Sequence, residues 1–388
     1  MFTGQGSGQL EVALKNGEAP DFRLTSSMEG LVVAVPEVGF RKPAEEAGSL
    51  LVEGRFGSPA SVRNIVLKTR GMDIDAGAVA LSEDSTFADA QLDGVRVGTW
   101  FEGAVALTSR GKGVVPRISI LGGSLDLPGA QLGQGNNTGG GGPIEVSLDD
   151  VRISSGIRLT NLQGELDTRG GLSGRFGARV NGGAAVQGQL ESVSGGVAAR
   201  ITSGNDGRVL SDAGIFTSAS GGQLDMTLQP RAQGLPGYTG RMVIKNVNVK
   251  RAPVLTELLS AVSIVGLLDQ MRGAGIVFTD VEALFDIDQS RARIRRSSAV
   301  GPSLGVSLDG TYSFGDARLA MQGVVSPVYF LNAIGQAISP RRGEGLFGFN
   351  FNISGTASKP KVSVNPLSIL TPGGFRDIFR AQPPKDSN

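Results

Sequence analysis

IEVSLDDVRISSGIRLTNLQGELDTRGGLSGRFGARVNGGAAVQGQLESVSGGVAARITS, residues 144–203, decides the fold class. Apolar residues recur at every second position, as in Ile144, Val146 and Leu148, which is the period of a strand with one buried face. Glycine, asparagine and aspartate interrupt the pattern at intervals of roughly ten residues, the spacing of a strand plus its turn. No helical period fits this stretch.

The same reading extends in both directions. From Gly8 to Gly129, short alternating runs begin with Leu10, Val12 and Leu14 and continue through Leu31, Val33 and Val35 to Ile118 and Ile120. Residues 133–143, GQGNNTGGGGP, have the composition of a flexible loop and mark the best internal boundary. The expected organisation is therefore a β-meander over 1–132, the glycine-rich loop over 133–143, a second meander over 144–250 and a C-terminal region over 251–388. A short helix is predicted over 207–216. A longer one starts at Pro253, with Leu255, Leu258, Leu259, Val262, Val265 and Leu268 at helical spacing and Gly273 as its stop. Ser326 and Pro327 open another helix that ends before Pro340, and a last amphipathic piece follows Pro366. The fold class is thus mainly β: an elongated, twisted antiparallel sheet curled into an apolar groove, with a few short helices near the C-terminus.

Composition narrows the chemistry. Glycine supplies 59 of 388 residues without a collagen period, as expected of turns between many strands. Lysine plus arginine (37) nearly cancel aspartate plus glutamate (36), so there is no net field to collect nucleic acid. Cysteine and histidine are absent, which removes thiol nucleophiles, imidazole bases and the two strongest zinc ligands. The pairs Asp149–Asp150 and Asp286–Asp288 sit in no recognisable ligand loop and read as turn residues. The opening residues MFTGQGSGQLEVAL have neither a signal peptide's basic start nor its apolar run, and 254–271 is too interrupted for a membrane span. No enzyme, cofactor or metal is expected.

Three stretches resemble the AsmA-like, YhdP-type family of bacterial envelope proteins. The first carries the turn Pro36, Gly39, Phe40, Lys42 and Pro43, followed by regularly spaced strands. The second is the glycine-punctuated meander from GLSGRFGARVNGG through GGQLDMTLQP. The third runs from Arg251 to Arg380 and includes the ending GTASKPKVSVNPL, residues 355–367. The resemblance implies a bridge-like lipid transport protein that carries phospholipid across the periplasm between the inner and outer membranes. It also implies a tether to the inner membrane, through a segment upstream of Met1 or a partner chain.

The alternation itself suits either an ordinary packed sandwich or a rail for acyl chains. Candidate groove residues are Ile276, Phe278, Phe285, Ile287, Val306, Leu308, Leu319, Met321, Phe349, Phe351 and Ile353. With neighbouring strands about 4.8 Å apart, some twenty strands would make a rail on the order of 95 Å long. Leu258 and Val262 on the Pro253 helix are candidates for membrane or partner contact, or for plugging the sheet end. Phe375, Arg376, Phe379 and Arg380 suit a membrane interface, a partner's groove or a solvated terminal helix. The competing function is a structural or assembly scaffold of the envelope, such as an adhesin-like β protein, for which a strict repeat length is expected and none is found.

Overall fold

The computed structural model describes residues 2–35, 38–130, 141–231, 236–327, 348–356 and 359–370. Strand dominates, and among the described residues the α-helices are three short ones. The chain divides into two compact units, Met1–Gly182 and Gly183–Asn388.

The first unit contains β1 (Phe2–Gly4), β2 (Gly8–Ala13), β3 (Asp21–Ser26), β4 (Leu31–Val35), β5 (Phe40–Lys42), β6 (Ser49–Arg55), β7 (Ser61–Thr69), β8 (Met72–Ile74), β9 (Ala76–Leu81), β10 (Phe87–Val97), β11 (Phe101–Thr108), β12 (Arg117–Asp126), β13 (Pro143–Arg152), β14 (Arg158–Asp167) and β15 (Ser173–Val180). Strands β1, β4 and β5 form a small sheet of their own. The others form a ladder in the order β2, β3, β6, β7, β9, β10, β11, β12, β13, β14, β15, with β8 bridging β7 and β10 beside β9. Every pair is antiparallel except β12–β13, where Ile118 lies opposite Ile144 in a parallel register.

That parallel pair frames the glycine-rich stretch. The glycine-rich stretch joins two neighbouring strands of one ladder, and the compact units divide later, between Gly182 and Gly183. Parallel neighbours need a long crossover because a tight turn reverses the chain, so a long connection is required at this place. Residues 131–140 lie outside the described residues.

The second unit contains β16 (Ala185–Val193), β17 (Gly196–Ser203), α1 (Asp206–Asp212), β18 (Ala219–Ser220), β19 (Gln223–Pro230), β20 (Tyr238–Val249), α2 (Pro253–Ala261), α3 (Val265–Arg272), β21 (Ile276–Ile287), β22 (Arg291–Val300), β23 (Leu304–Ser313), β24 (Leu319–Pro327), β25 (Phe349–Thr356) and β26 (Lys359–Asn365). Its ladder is wholly antiparallel, in the order β16, β17, β19, β20 and then β21 through β26, with β18 paired to the end of β20. Arg295 is skipped in both of its neighbouring registers, which makes it the extra residue of a β-bulge.

The helix expected from Pro253 to Gly273 is two helices. Ser263 takes a left-handed conformation (φ 57°), which no continuous helix tolerates, and α3 restarts at Val265. Helix α3 packs on β21 and α2 on β26, so the pair ties the middle of the ladder to its last strand. Ser326 and Pro327 end β24 rather than opening a helix. The rest of that expected helix, from residue 328, and the amphipathic piece beyond residue 370 lie outside the described residues.

Lys42 shows how the small sheet is held. Its side chain is completely buried, and Nζ donates to the carbonyl oxygens of Met28 (2.8 Å), Leu31 (3.0 Å) and Pro43 (3.1 Å). An ammonium group has three protons to give, and all three are used. Lys42→Met keeps the apolar stem and removes the donors. We expect it to destabilise the first unit by about 2–3 kcal/mol. Urea unfolding followed through Trp100, the single tryptophan and part of that unit's core, measures this. A change below about 0.5 kcal/mol, typical of a surface substitution, would contradict it.

Candidate functional site

Residues directly opposite one another on neighbouring strands point to the same side of a sheet. In the second unit, one row therefore runs Leu190, Ala199, Leu228, Gly240, Phe285, Ile294, Gly310, Met321, Ile353, Val362. Two residues along every strand, or three on β22 because of its bulge, the next row runs Gly188, Ile201, Met226, Met242, Ala283, Ser297, Leu308, Gly323, Phe351, Val364. Flanking rows add Leu224, Ile244, Val281, Ala299, Val306, Val325 and Phe349 on one side, and Tyr238, Ile287, Ala292, Tyr312 and Leu319 on the other. The two central rows cross ten strands and hold no charged residue. Nine spacings of about 4.8 Å make them about 43 Å long.

Nine of the eleven candidate groove residues lie on this face: Phe285, Ile287, Val306, Leu308, Leu319, Met321, Phe349, Phe351 and Ile353. Ile276 and Phe278 lie beyond these rows, nearer the start of β21, where the buried positions are even-numbered, whereas buried Ala283 and the row residue Phe285 are odd-numbered. In β20 the buried positions pass from even (Ile244) to odd (Val247, Val249) across left-handed Asn246. Ile276 and Phe278, opposite Val249 and Val247, are buried at the strand end where α3 packs.

Burial is graded along the face. Phe351 is 2% exposed and Ile353 6%, whereas Met226, Met242, Phe285, Ile294, Leu308 and Met321 remain half-buried. Leu258 is 2% exposed and Leu259 fully buried, which places both in the packing of α2. Val262 is half-buried. Phe375, Arg376, Phe379 and Arg380 lie outside the described residues.

The first unit has an equivalent face that the sequence reading did not assign as a site. Val12, Phe22, Gly54, Val62, Val79, Ala90, Leu107, Ile118, Ile144, Leu166 and Gly174 form one unbroken row across eleven strands. The same alternation that marked these strands also marks their face, and only the pairing between distant strands was missing. On both units a glycine often stands opposite a large apolar residue: Gly54 opposite Phe22, Gly77 opposite Leu92, Gly164 opposite Phe176, Gly240 opposite Phe285, Gly323 opposite Phe351.

The other side of each ladder is polar and ion-paired. In the second unit, Arg200 donates to Asp225 (3.0 Å), Arg241 to Glu282 (2.9 Å), Lys245 to Asp280 (2.6 Å) and Gln322 to Asp309 (3.0 Å). In the first, Arg55 and Arg63 share Asp21, and Lys68 and Arg96 share Asp75. An open depression of about 600 Å³ at the β2–β3–β6 end is lined by Gln9, Arg23, Thr25 and Ser49 together with Leu50 and Leu51.

Among the described residues no group of three or more acidic side chains is placed to hold a metal ion, and no helix is long and apolar enough to cross a membrane. No family model, no curated protein and no solved structure matches the chain.

The polar face carries a pH dependence. Hydrogen bonds from Arg96 first and Lys68 second bring the Asp75 carboxyl down from 3.8 to about 2. A carboxyl lowered by folding stabilises fully above its ordinary pKa, and that contribution is lost as pH falls from about 4 to about 2. We expect Asp75→Asn to unfold at a lower temperature than wild type at pH 5, by Trp100 fluorescence, with the gap narrowing at pH 2. An equal gap at both pH values would rule the linkage out.

Proposed function

We propose that this chain is a non-enzymatic lipid-binding and lipid-transport protein of the bacterial envelope, holding phospholipid acyl chains along the apolar faces of its sheets. The observation that carries the reading is the pair of uncharged rows in the second unit, continuous over ten strands and only half-buried over most of their length. A face of this kind gains by covering. Each buried methylene contributes about 0.8 kcal/mol, so a partly covered acyl chain contributes several kcal/mol. The ion-paired opposite side keeps the sheet compatible with water.

The resemblance to AsmA-like, YhdP-type sequences adds the setting: the periplasm, phospholipid as cargo, and the inner and outer membranes as source and destination. On this reading the cargo is held by its tails, and no nucleic acid or cofactor takes part. A tether to the inner membrane, in an upstream segment or a partner chain, completes the proposal.

A charge placed on the half-buried part of the face tests it. Met242 stands between Met226 and Ala283, and Met242→Asp leaves a carboxylate that water can still reach. We expect this variant to keep its fold and to lose the phospholipid that native mass spectrometry detects on the wild-type protein. Phe351→Asp instead buries an unpaired charge and is expected to cost several kcal/mol of stability. Lipid-free wild-type protein, or undiminished lipid on Met242→Asp, would count against the proposal.

A further inference from the structure

We propose that the glycines opposite the large side chains of the apolar face set its clearance, by letting those side chains lie down over the neighbouring strand. A side chain in a strand ordinarily stands roughly perpendicular to the sheet. Here it leans. The three atoms nearest to where a Gly240 Cβ would sit are Cζ, Cε2 and Cε1 of Phe285, the far edge of the ring. At Gly323 the Cβ position is 2.6 Å from Cζ of Phe351, and at Gly77 it is 2.7 Å from a Leu92 methyl. In each pair the tip of the large side chain occupies the place of its partner's missing side chain.

Glycine inside a strand is destabilising relative to alanine, so its repetition at these places calls for a compensating gain. The contact between ring and glycine returns part of it. The rest, on the lipid-holding reading that this inference rests on, is height. A ring lying flat raises the face by its thickness, and a standing ring by its length. The glycines therefore determine how deep a chain the face accepts.

Gly240 is the cleanest place to test this, because the three atoms nearest its Cβ position all belong to the Phe285 ring, whereas at Gly323 the nearest atom is the backbone carbonyl oxygen of Ser307. Gly240→Ala is expected to fold, to lift Phe285 and to weaken uptake from phosphatidylethanolamine–phosphatidylglycerol vesicles containing a fluorescent phospholipid about tenfold, the effect of one surplus methyl in an apolar site. Adding Phe285→Leu should restore uptake. Gly266→Ala in α3, where nothing lies within 4 Å, is the neutral control. Unchanged uptake in Gly240→Ala, or a loss that Phe285→Leu does not repair, overturns the inference while leaving lipid binding intact. If Gly240→Ala fails to fold, Gly77→Ala with Leu92→Ala as its reliever takes its place.

A second readout does not need lipid. The Gly240 Hα protons should show an upfield ring-current shift in glycine-labelled protein, lost in Phe285→Leu. Absence of that shift overturns the lying-ring geometry. If the shift is present but the wild type takes up no lipid, the proposed function fails and the clearance claim falls with it.

Discussion

The structure depends on register. Side chains alternate across a strand with a period of two, so sliding any strand by one residue would exchange its faces. In the second unit that slip would put Arg241 and Glu282 where Met242 and Ala283 now stand. The cross-strand ion pairs on the polar side resist it, because Arg241 reaches Glu282 and Lys245 reaches Asp280 only in the observed alignment. Where the chain does carry an extra residue, at Arg295, it is absorbed as a bulge, and Ile294 and Ser297 still join the same face.

Glycine richness and scarcity of aromatics belong to the same design. An ordinary packed core fills its interior with interdigitating side chains to near-crystalline density. These rows do the opposite, with glycine opposite Phe285, Phe351 and Phe22 and half-buried methionines between. The helices are concentrated near one end of the second unit's strands, where Leu259, Met271 and Ile276 are fully buried. Full burial is thus concentrated near the helices, and most of the large side chains of the middle rows stay half-buried.

Much of this was legible in the amino-acid order. Alternation and turn residues marked many of the strands, and LFGFNFNISG put Phe349, Phe351 and Ile353 on one side. What could not be read were relations between distant residues. Gly240 and Phe285 are forty-five positions apart, and only the ladder makes them neighbours. The change in parity of the buried positions across Asn246 in β20, matched between Phe278 and Ala283 in β21, left no mark on the sequence. The apolar spacing of Leu255, Leu258 and Val262 continues through Ser263, so the break in the helix left no mark on the periodicity. The parallel β12–β13 pair was hidden because a glycine-rich connection looks the same whether it separates domains or crosses over within one sheet.

On the proposed reading, acyl chains lie on one face of the sheet and not on the other. Because the chain contains no cysteine, single cysteines can be introduced one at a time and labelled with a fluorophore. Labels at Met226, Met242 and Leu308 report the apolar face, and labels at Thr227, Val243 and Asp309, each the next residue along, report the opposite side. Phospholipid carrying a nitroxide on its acyl chain is then added, and quenching is measured at each position. Strong quenching is expected at the first three positions and little at the second three, an alternation with the period of the strand. Equal quenching on both faces, or none on either, would contradict it.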